Sequence, residues 1–117
     1  MSKPWRLTKQ AERSLIGIAI WTFDTFGARQ AELYEGELVE RCQAIADGHA
    51  ITYDCKILAG EATGDDVGDD VGDDVRFARA GEHFVVFVEF AEEIAILDFL
   101  HAKSDLPRRI ADLTLRP

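Results

Sequence analysis

The sequence predicts an α+β domain in which an antiparallel pair of helices packs against an antiparallel β-meander, in the order β-α-α-β-β-β. Three observations predict it. Two long stretches in the first half have apolar residues at helical spacing. Each stretch is followed by a glycine, and the second begins almost directly after the first. After residue 74 the pattern changes to short apolar runs with a two-residue period and short gaps between them.

The N-terminal segment predicts a short strand and then a long helix. Trp5–Thr8 is typical of an extended piece, and Pro4 fits a strand start because its missing N–H costs nothing there. Thr8 is placed to be the N-cap of a helix over about Lys9–Phe26, and Gly27 is expected to end it in the left-handed conformation. The apolar stripe is broad, so we expect burial over more than half of the helix circumference. The stripe consists of Ala11, Leu15, Ile16, Ile18, Ala19, Ile20, Trp21, Phe23 and Phe26.

A second helix is predicted over about Ala28–Asp47, with Gly48 ending it in the same way. Its core face carries Ala31, Tyr34, Leu38, Cys42 and Ile45. The opposite side is charged and should be solvated. That side carries Glu32, Glu35, Glu40 and Arg41. Because the connection between the two helices is so short, they must run antiparallel as an α-hairpin.

Three runs rich in β-branched and aromatic residues predict the meander, with a further short strand possible within Ala50–Leu58. The runs are Val75–Gly81, His83–Phe90 and Glu93–His101. Their short gaps make them antiparallel neighbours. The middle run is apolar on both faces and therefore needs cover on both. The hairpin can cover one face, and a partner protein is a natural candidate for the other.

Residues 64–75 are three tandem copies of Gly-Asp-Asp-Val, which hold six of the chain's 22 acidic residues. Like charges at this density repel and favour an extended, solvated loop, so we interpret about residues 60–75 as an insertion into a loop. Recognition of a basic partner and a cation site are the alternatives, although adjacent aspartates do not converge on one ion. Without the repeat the net charge of −9 falls to −3, and Lys103–Arg116 is locally +2.

The length of 117 residues suits one domain. The sequence also lacks the patterns of a membrane span, a signal peptide and a metal site. No apolar run is long enough to span a bilayer, and the first residues lack the apolar region of a signal peptide, so we expect a cytoplasmic protein. Cys42 and Cys55 have no zinc or redox spacing, and Cys42 should pack as a small apolar residue. The three histidines lack metal-ligand spacing as well. We therefore expect no metal and no cofactor.

Several residue patterns, in this order and spacing, resemble the ParE branch of the RelE/ParE toxin superfamily over nearly the whole chain except about residues 49–74. An aromatic pair near the end of the first helix belongs to the pattern. So does an arginine that opens the strand after the insertion. The named positions are Ala11, Glu12, Gly27, Gln30, Ala31, Arg76, Gly81, His83, Leu100, His101 and Asp105.

The resemblance implies the toxin of a type II toxin–antitoxin pair of the plasmid-stabilisation kind, neutralised by a ParD-like antitoxin and acting on DNA gyrase. An RNA-cleaving, RelE-like activity on the ribosome is the alternative. It would need cations that neutralise phosphate and a proton-transfer group, here Arg76, Arg79 and Lys103 converging near His101. Relatives usually carry Tyr-Arg where this chain has Val88 and Glu89, so we favour binding without catalysis. A non-toxic module that only binds its antitoxin is the third reading.

The sequence gives two candidate interaction surfaces, one for the target and one for the antitoxin. The C-terminal region holds the one basic cluster in the sequence, so we expect it to contact the target, together with Arg76. That cluster is His101, Lys103, Arg108 and Arg109. For the antitoxin we expect exposed apolar residues of the sheet and the edge at Trp5. Those sheet residues are Phe84, Val86 and Val88.

Overall fold

The computed structural model describes residues 2–55, 75–104, 106, 108 and 109. In these ranges the elements are β1 (Trp5–Leu7), α1 (Lys9–Phe26), α2 (Ala28–Asp47), β2 (Tyr53–Asp54), β3 (Val75–Ala80), β4 (His83–Glu89) and β5 (Ile94–His101). They confirm the predicted α+β architecture of a helical hairpin on a sheet. No helix of the described part is long and apolar enough to cross a membrane.

The five strands form one mixed sheet in the order β1-β5-β4-β3-β2. The β2–β3, β3–β4 and β4–β5 pairs are antiparallel, as the short gaps predict, but β1 pairs parallel with β5, so the sheet is not purely antiparallel. The reason is that short gaps determine only the direction of consecutive strands. Trp5 pairs with Ile94, a partner that no local pattern identifies.

The helix ends agree with the sequence signals. Thr8 is the N-cap of α1, and its side chain accepts the backbone N–H of Ala11 at 3.2 Å. Gly48 ends α2 in the left-handed conformation, at φ 78° and ψ 17°. Gly27 has φ 96° but ψ 172°, so the predicted left-handed conformation was wrong there. Because α2 begins at the next residue, Gly27 reverses the chain at a positive φ outside the left-handed helical region, a conformation that favours glycine.

The main core lies between the hairpin and the sheet. The predicted face of α2 supplies Leu38, Cys42 and Ile45, all of them buried. The sheet supplies Ala78, Ala80, Val85, Phe87, Ile94, Ile96 and Phe99. Burial raises the pKa of the Cys42 thiol to about 12, so it stays protonated and packs as a small apolar group, as predicted.

Helix α1 differs from the expectation of burial over more than half of its circumference, which was wrong. Only Ala11 and Thr22 are buried in it. Five large apolar side chains of α1 are between 56% and 63% exposed, namely Ile16, Ile20, Trp21, Phe23 and Phe26. The physical reason is its position: α1 packs on the β5 and β1 side of the sheet and against α2, so only one side of the helix meets other elements.

The sheet face opposite the hairpin carries a second, smaller core. It consists of Cys55, Val75, Phe77, Val86, Leu100 and Leu106, with Phe84, Val88 and Leu97 packed against it. This face is therefore partly covered by the chain itself, through Cys55 and Leu106, and not left wholly to a partner. Val75, the last residue of the repeat, opens β3 and is buried. The rest of the predicted insertion falls outside the described residues, and it stays a prediction.

Candidate protein-interaction groove

A groove of about 370 Å³ lies between α1 and the C-terminal end of β5. Helix α1 forms one wall with Ser14, Gly17, Ile18 and Trp21. The sheet and the segment after it contribute His83, Phe99, His101, Ser104 and Arg109. The groove therefore combines aromatic and aliphatic walls with a cationic rim, and none of the described residues that line it is acidic.

A bulge in β5 directly precedes Phe99, which lines the sheet side of the groove. The pairing of β4 with β5 shifts register between Val86 and Phe87, opposite Asp98. Asp98 is only 3% exposed. Its carboxylate accepts the Ser14 hydroxyl, the backbone N–H of Phe99 at 2.8 Å and the Gln10 amide at 3.5 Å. The bulge is thus bonded to α1. Asp98 was missed at the sequence level, although one acidic residue within the apolar run Ile94–His101 was a usable signal.

Tyr34 forms hydrogen bonds with the turn between β3 and β4, which lies beside the groove. Its hydroxyl accepts the backbone N–H of Glu82 at 3.0 Å and lies 2.6 Å from Nδ1 of His83. Burial, with a smaller contribution from nearby His101, lowers the pKa of His83 to about 4. The imidazole is therefore neutral at pH 7, and its Nδ1 can accept a hydrogen bond from the Tyr34 hydroxyl. The His83 and His101 rings meet edge to face, with their centroids 5.1 Å apart.

The turn requires glycine at position 81 because the Tyr34 ring lies close to it. Its φ is +59°, and a Cβ added there would lie 2.7 Å from Cε1 of Tyr34. A side chain at this position would displace the Tyr34 ring, which holds His83. This contact gives a physical reason for Gly81 and His83 occurring together in the pattern found in the sequence.

Two predicted target-binding residues meet in the groove and the others do not. His101 and Arg109 both line it. At the strand end, Nδ1 of His101 accepts the backbone N–H of Lys103 at 3.0 Å, as expected for a histidine that ends a strand. Lys103 and Arg108 are exposed in the segment that follows β5, outside the groove lining. Arg76 is at the far end of β3, where its Nη2 donates to the carbonyl oxygen of Thr52 at 3.2 Å.

The convergent cations of an RNA-cleaving centre are not found among the described residues. Alternation along β3 places Arg76 on the hairpin face with Ala78, and Arg79 on the opposite face with Phe77. Arg79 donates to the carbonyl oxygen of Gly81 at 2.9 Å and lies over the Phe84 ring. The two arginines therefore point away from each other.

The N-terminal edge of the sheet carries ion pairs of its own. Glu89 pairs with Lys3 at 2.6 Å. Arg6 pairs with Glu93 at 3.1 Å. The cations at this edge are therefore neutralised by acidic neighbours.

The predicted antitoxin-binding residues are less exposed than expected. Val86 is fully buried, so the expectation that it is a surface residue was wrong. Trp5, Phe84 and Val88 are half-buried, and Nε1 of Trp5 donates to Gln43 at 3.1 Å. The large exposed side chains lie on α1, where the sequence analysis assigned Trp21 to the core. Among the described residues no cluster of His, Cys, Asp and Glu suits a metal ion.

Taken together, the fold and the groove define a small α+β domain with an unpaired apolar helix face and a cationic rim, a surface typical of protein-binding domains. The sequence model of the family described as ParE toxin of type II toxin-antitoxin system, parDE, matches residues 5–106, and the chain belongs to this family. No curated protein matches it in sequence. A solved structure described as the chromosomal ParDE TA system from P. aeruginosa has the same fold, with a TM-score of 0.61 at 16% identity over 87% of this chain and 98% of that one.

Proposed function

We propose that this ParE family member is the toxin of a type II toxin–antitoxin module, and that it inhibits DNA gyrase in the cytoplasm by binding it, without making or breaking bonds. The observation that supports inhibition by binding, and not by catalysis, is that Arg76 and Arg79 lie on opposite faces of β3. The choice of gyrase follows from the family and not from a particular residue.

The alternative, cleavage of mRNA on the ribosome, is less well supported by the geometry. Such a centre needs preorganised cations beside a group that transfers a proton. Arg76 is engaged by Thr52, and Arg79 lies on the face opposite His101. His101 already uses Nδ1 for the backbone N–H of Lys103. Of the described cations that follow His101, namely Lys103, Arg108 and Arg109, only Arg109 lines the groove with it, which is few for phosphate neutralisation.

The neutralising partner we propose is a ParD-like antitoxin. The exposed apolar side chains of α1 support this part of the proposal, because a monomer rarely leaves so many large apolar groups in water without a partner. For gyrase, we propose the exposed basic group that follows β5. This group is His101, Lys103, Arg108 and Arg109. Arg76 lies apart from it, at the other end of β3.

The test is a DNA supercoiling assay with purified gyrase, run beside a translation assay that maps mRNA cuts on ribosomes. We expect slower supercoiling or trapped cleaved DNA, relieved by the small protein encoded next to the gene, and intact mRNA. Cut mRNA with normal supercoiling would establish the RNA-cleaving alternative instead. Normal results in both assays, with tight binding of the neighbouring protein, would identify a non-toxic binding module.

A further inference from the structure

We infer that the groove between α1 and β5 is where the antitoxin docks, and that it receives an acidic, apolar segment of that partner. One large apolar side chain of the segment lies between Trp21 and Phe99, and a carboxylate meets Arg109. The inference rests on the proposed function and adds the docking site and the chemistry of the docked segment.

The apolar part of the argument starts from Trp21. It lines the groove although it is 61% exposed, and its ring meets Phe26 edge to face at 5.8 Å. The apolar surface therefore continues from the groove to the C-terminal end of α1. A continuous surface of this length fits a polypeptide segment better than a small molecule, which is usually enclosed on most sides. Large aromatic side chains of this kind contribute most of the binding free energy in protein interfaces.

The charge of the groove indicates which segment fits. The chain has a formal net charge of −9, yet the rim carries His101 and Arg109, and no lining residue that the structure describes is acidic. Within the described ranges, the two ion pairs are those of Lys3 and Arg6, at the β1 edge of the sheet and away from the groove. Arg109 therefore remains available for a carboxylate, which arginine binds through two parallel hydrogen bonds.

Gly17 gives the partner room to approach. It is in the middle of α1 and lines the groove, and a Cβ added there would meet no heavy atom within 4 Å. Glycine inside a helix lowers helix stability, so the fold itself does not favour it at this position. A larger residue would leave the domain intact and fill the groove.

The experiment uses Gly17→Leu, with Gly36→Leu as the matched control. Gly36 is also a helical glycine with nothing within 4 Å, but it is on α2 and away from the groove. The probe is the small protein encoded next to the gene, and its affinity is measured by calorimetry together with the unfolding temperature. Both variants are expected to keep or raise that temperature. Gly17→Leu should weaken binding by roughly 100-fold or more, and Gly36→Leu by less than about 2-fold.

The charge is tested with Arg109→Gln against Arg29→Gln, an exposed arginine of α2. We expect Arg109→Gln to bind the antitoxin roughly 10-fold more weakly than the wild-type protein, and Arg29→Gln to bind it as the wild-type protein does. The affinity difference between Arg109→Gln and the wild-type protein should become smaller at high salt. If Gly17→Leu does not fold, Trp21→Ala replaces it, and Leu33→Ala, at a similarly exposed apolar position of α2 outside the groove, is its control.

The outcomes separate the two proposals. Binding by the wild-type protein with unchanged affinity in Gly17→Leu, Trp21→Ala and Arg109→Gln would overturn the docking site and leave the antitoxin proposal standing. Loss of affinity in Arg109→Gln and Arg29→Gln alike would overturn the specific carboxylate contact. Absence of binding by the wild-type protein would overturn the proposed antitoxin pairing, and the docking site with it.

Discussion

Ser14 of α1 donates a hydrogen bond to the buried carboxylate of Asp98 in β5, across 84 residues of chain. Asp98 is at the point where the β4–β5 register shifts, and it also accepts the backbone N–H of Phe99. The side chain of Asp98 therefore accepts a backbone hydrogen bond at the bulge in β5 and also links that strand to α1. Since Ser14 and Phe99 both line the groove, this bond holds the two walls of the groove together.

Replacing Asp98 by alanine is expected to lower the free energy of unfolding by about 2–4 kcal/mol, because Ser14, Gln10 and the Phe99 N–H lose their shared buried acceptor. Urea denaturation monitored by circular dichroism measures it. Asp24→Ala, at an exposed position of α1, is the control and should change stability by less than about 0.5 kcal/mol. Equal effects of the two substitutions would contradict the role given to Asp98.

Gly81→Ala is expected to destabilise the protein by about 1–3 kcal/mol, because alanine disfavours the positive φ and its Cβ meets the Tyr34 ring. A double-mutant cycle with Tyr34→Ala separates the two causes, since removing the ring relieves only the steric part. Gly36→Ala, in an open helical position, should be neutral or stabilising by up to about 1 kcal/mol. Additive effects of Gly81→Ala and Tyr34→Ala would show that the ring contact contributes nothing.

Acid is expected to destabilise the protein through His83. Its pKa in the folded state is about 4, below the ordinary value of 6.5, so between these pH values the unfolded chain binds the proton more readily. The free energy of unfolding should therefore decrease as the pH falls from 6.5 to 4. We expect a contribution of about 1–2 kcal/mol, because the ring is half-buried and solvent screens part of the penalty.

The contribution of His83 is isolated by comparing urea denaturation of the wild-type protein and His83→Gln at a series of pH values. The difference in stability between the two should narrow on acidification through this window. His49→Gln, at an exposed position, is the control and should follow the wild-type curve. A constant difference across the window would mean that His83 is not protonated differently in the two states.

Replacing Arg108 and Arg109 together by alanine is expected to weaken gyrase inhibition by roughly 10-fold or more, because it removes two exposed charges from the proposed contact surface. The supercoiling assay measures inhibition, and the unfolding temperature shows that the domain is intact. The control is Arg13→Ala with Arg29→Ala, which removes the same charge from exposed positions of the helices. Full inhibition by the first double variant would exclude the group after β5 as the target surface.

Shortening the acidic repeat by one unit, residues 64–67, is expected to leave stability and antitoxin affinity almost unchanged. The copies are identical, so a valine still opens β3 at the buried position of Val75. Closing a slightly shorter loop changes the free energy of unfolding by only a few tenths of a kcal/mol, about 0.3 at most. Urea denaturation and calorimetry measure the two quantities, and a clear loss of affinity would give the repeat a binding role.

Much of the fold was predictable because its signals are local. Thr8, Gly27 and Gly48 mark the helix ends that the structure shows. The two-residue period located β3, β4 and β5 to within one residue at each end. At the candidate site, His101 and Arg109 were identified as the basic end of the chain. Trp21, Phe99 and Ser14 were not, because their meeting depends on which strand lies under α1.

The sequence by itself determined the type, order and ends of these elements, and the family, because capping residues and hydrophobic periods act over a few neighbouring positions. Only the tertiary structure decided which apolar residues reach water. Val86 and Trp21 are equally apolar in the sequence, yet Val86 is buried by the second core and Trp21 stands on an open helix face. Burial depends on what packs over a residue, and residues distant in the chain decide that.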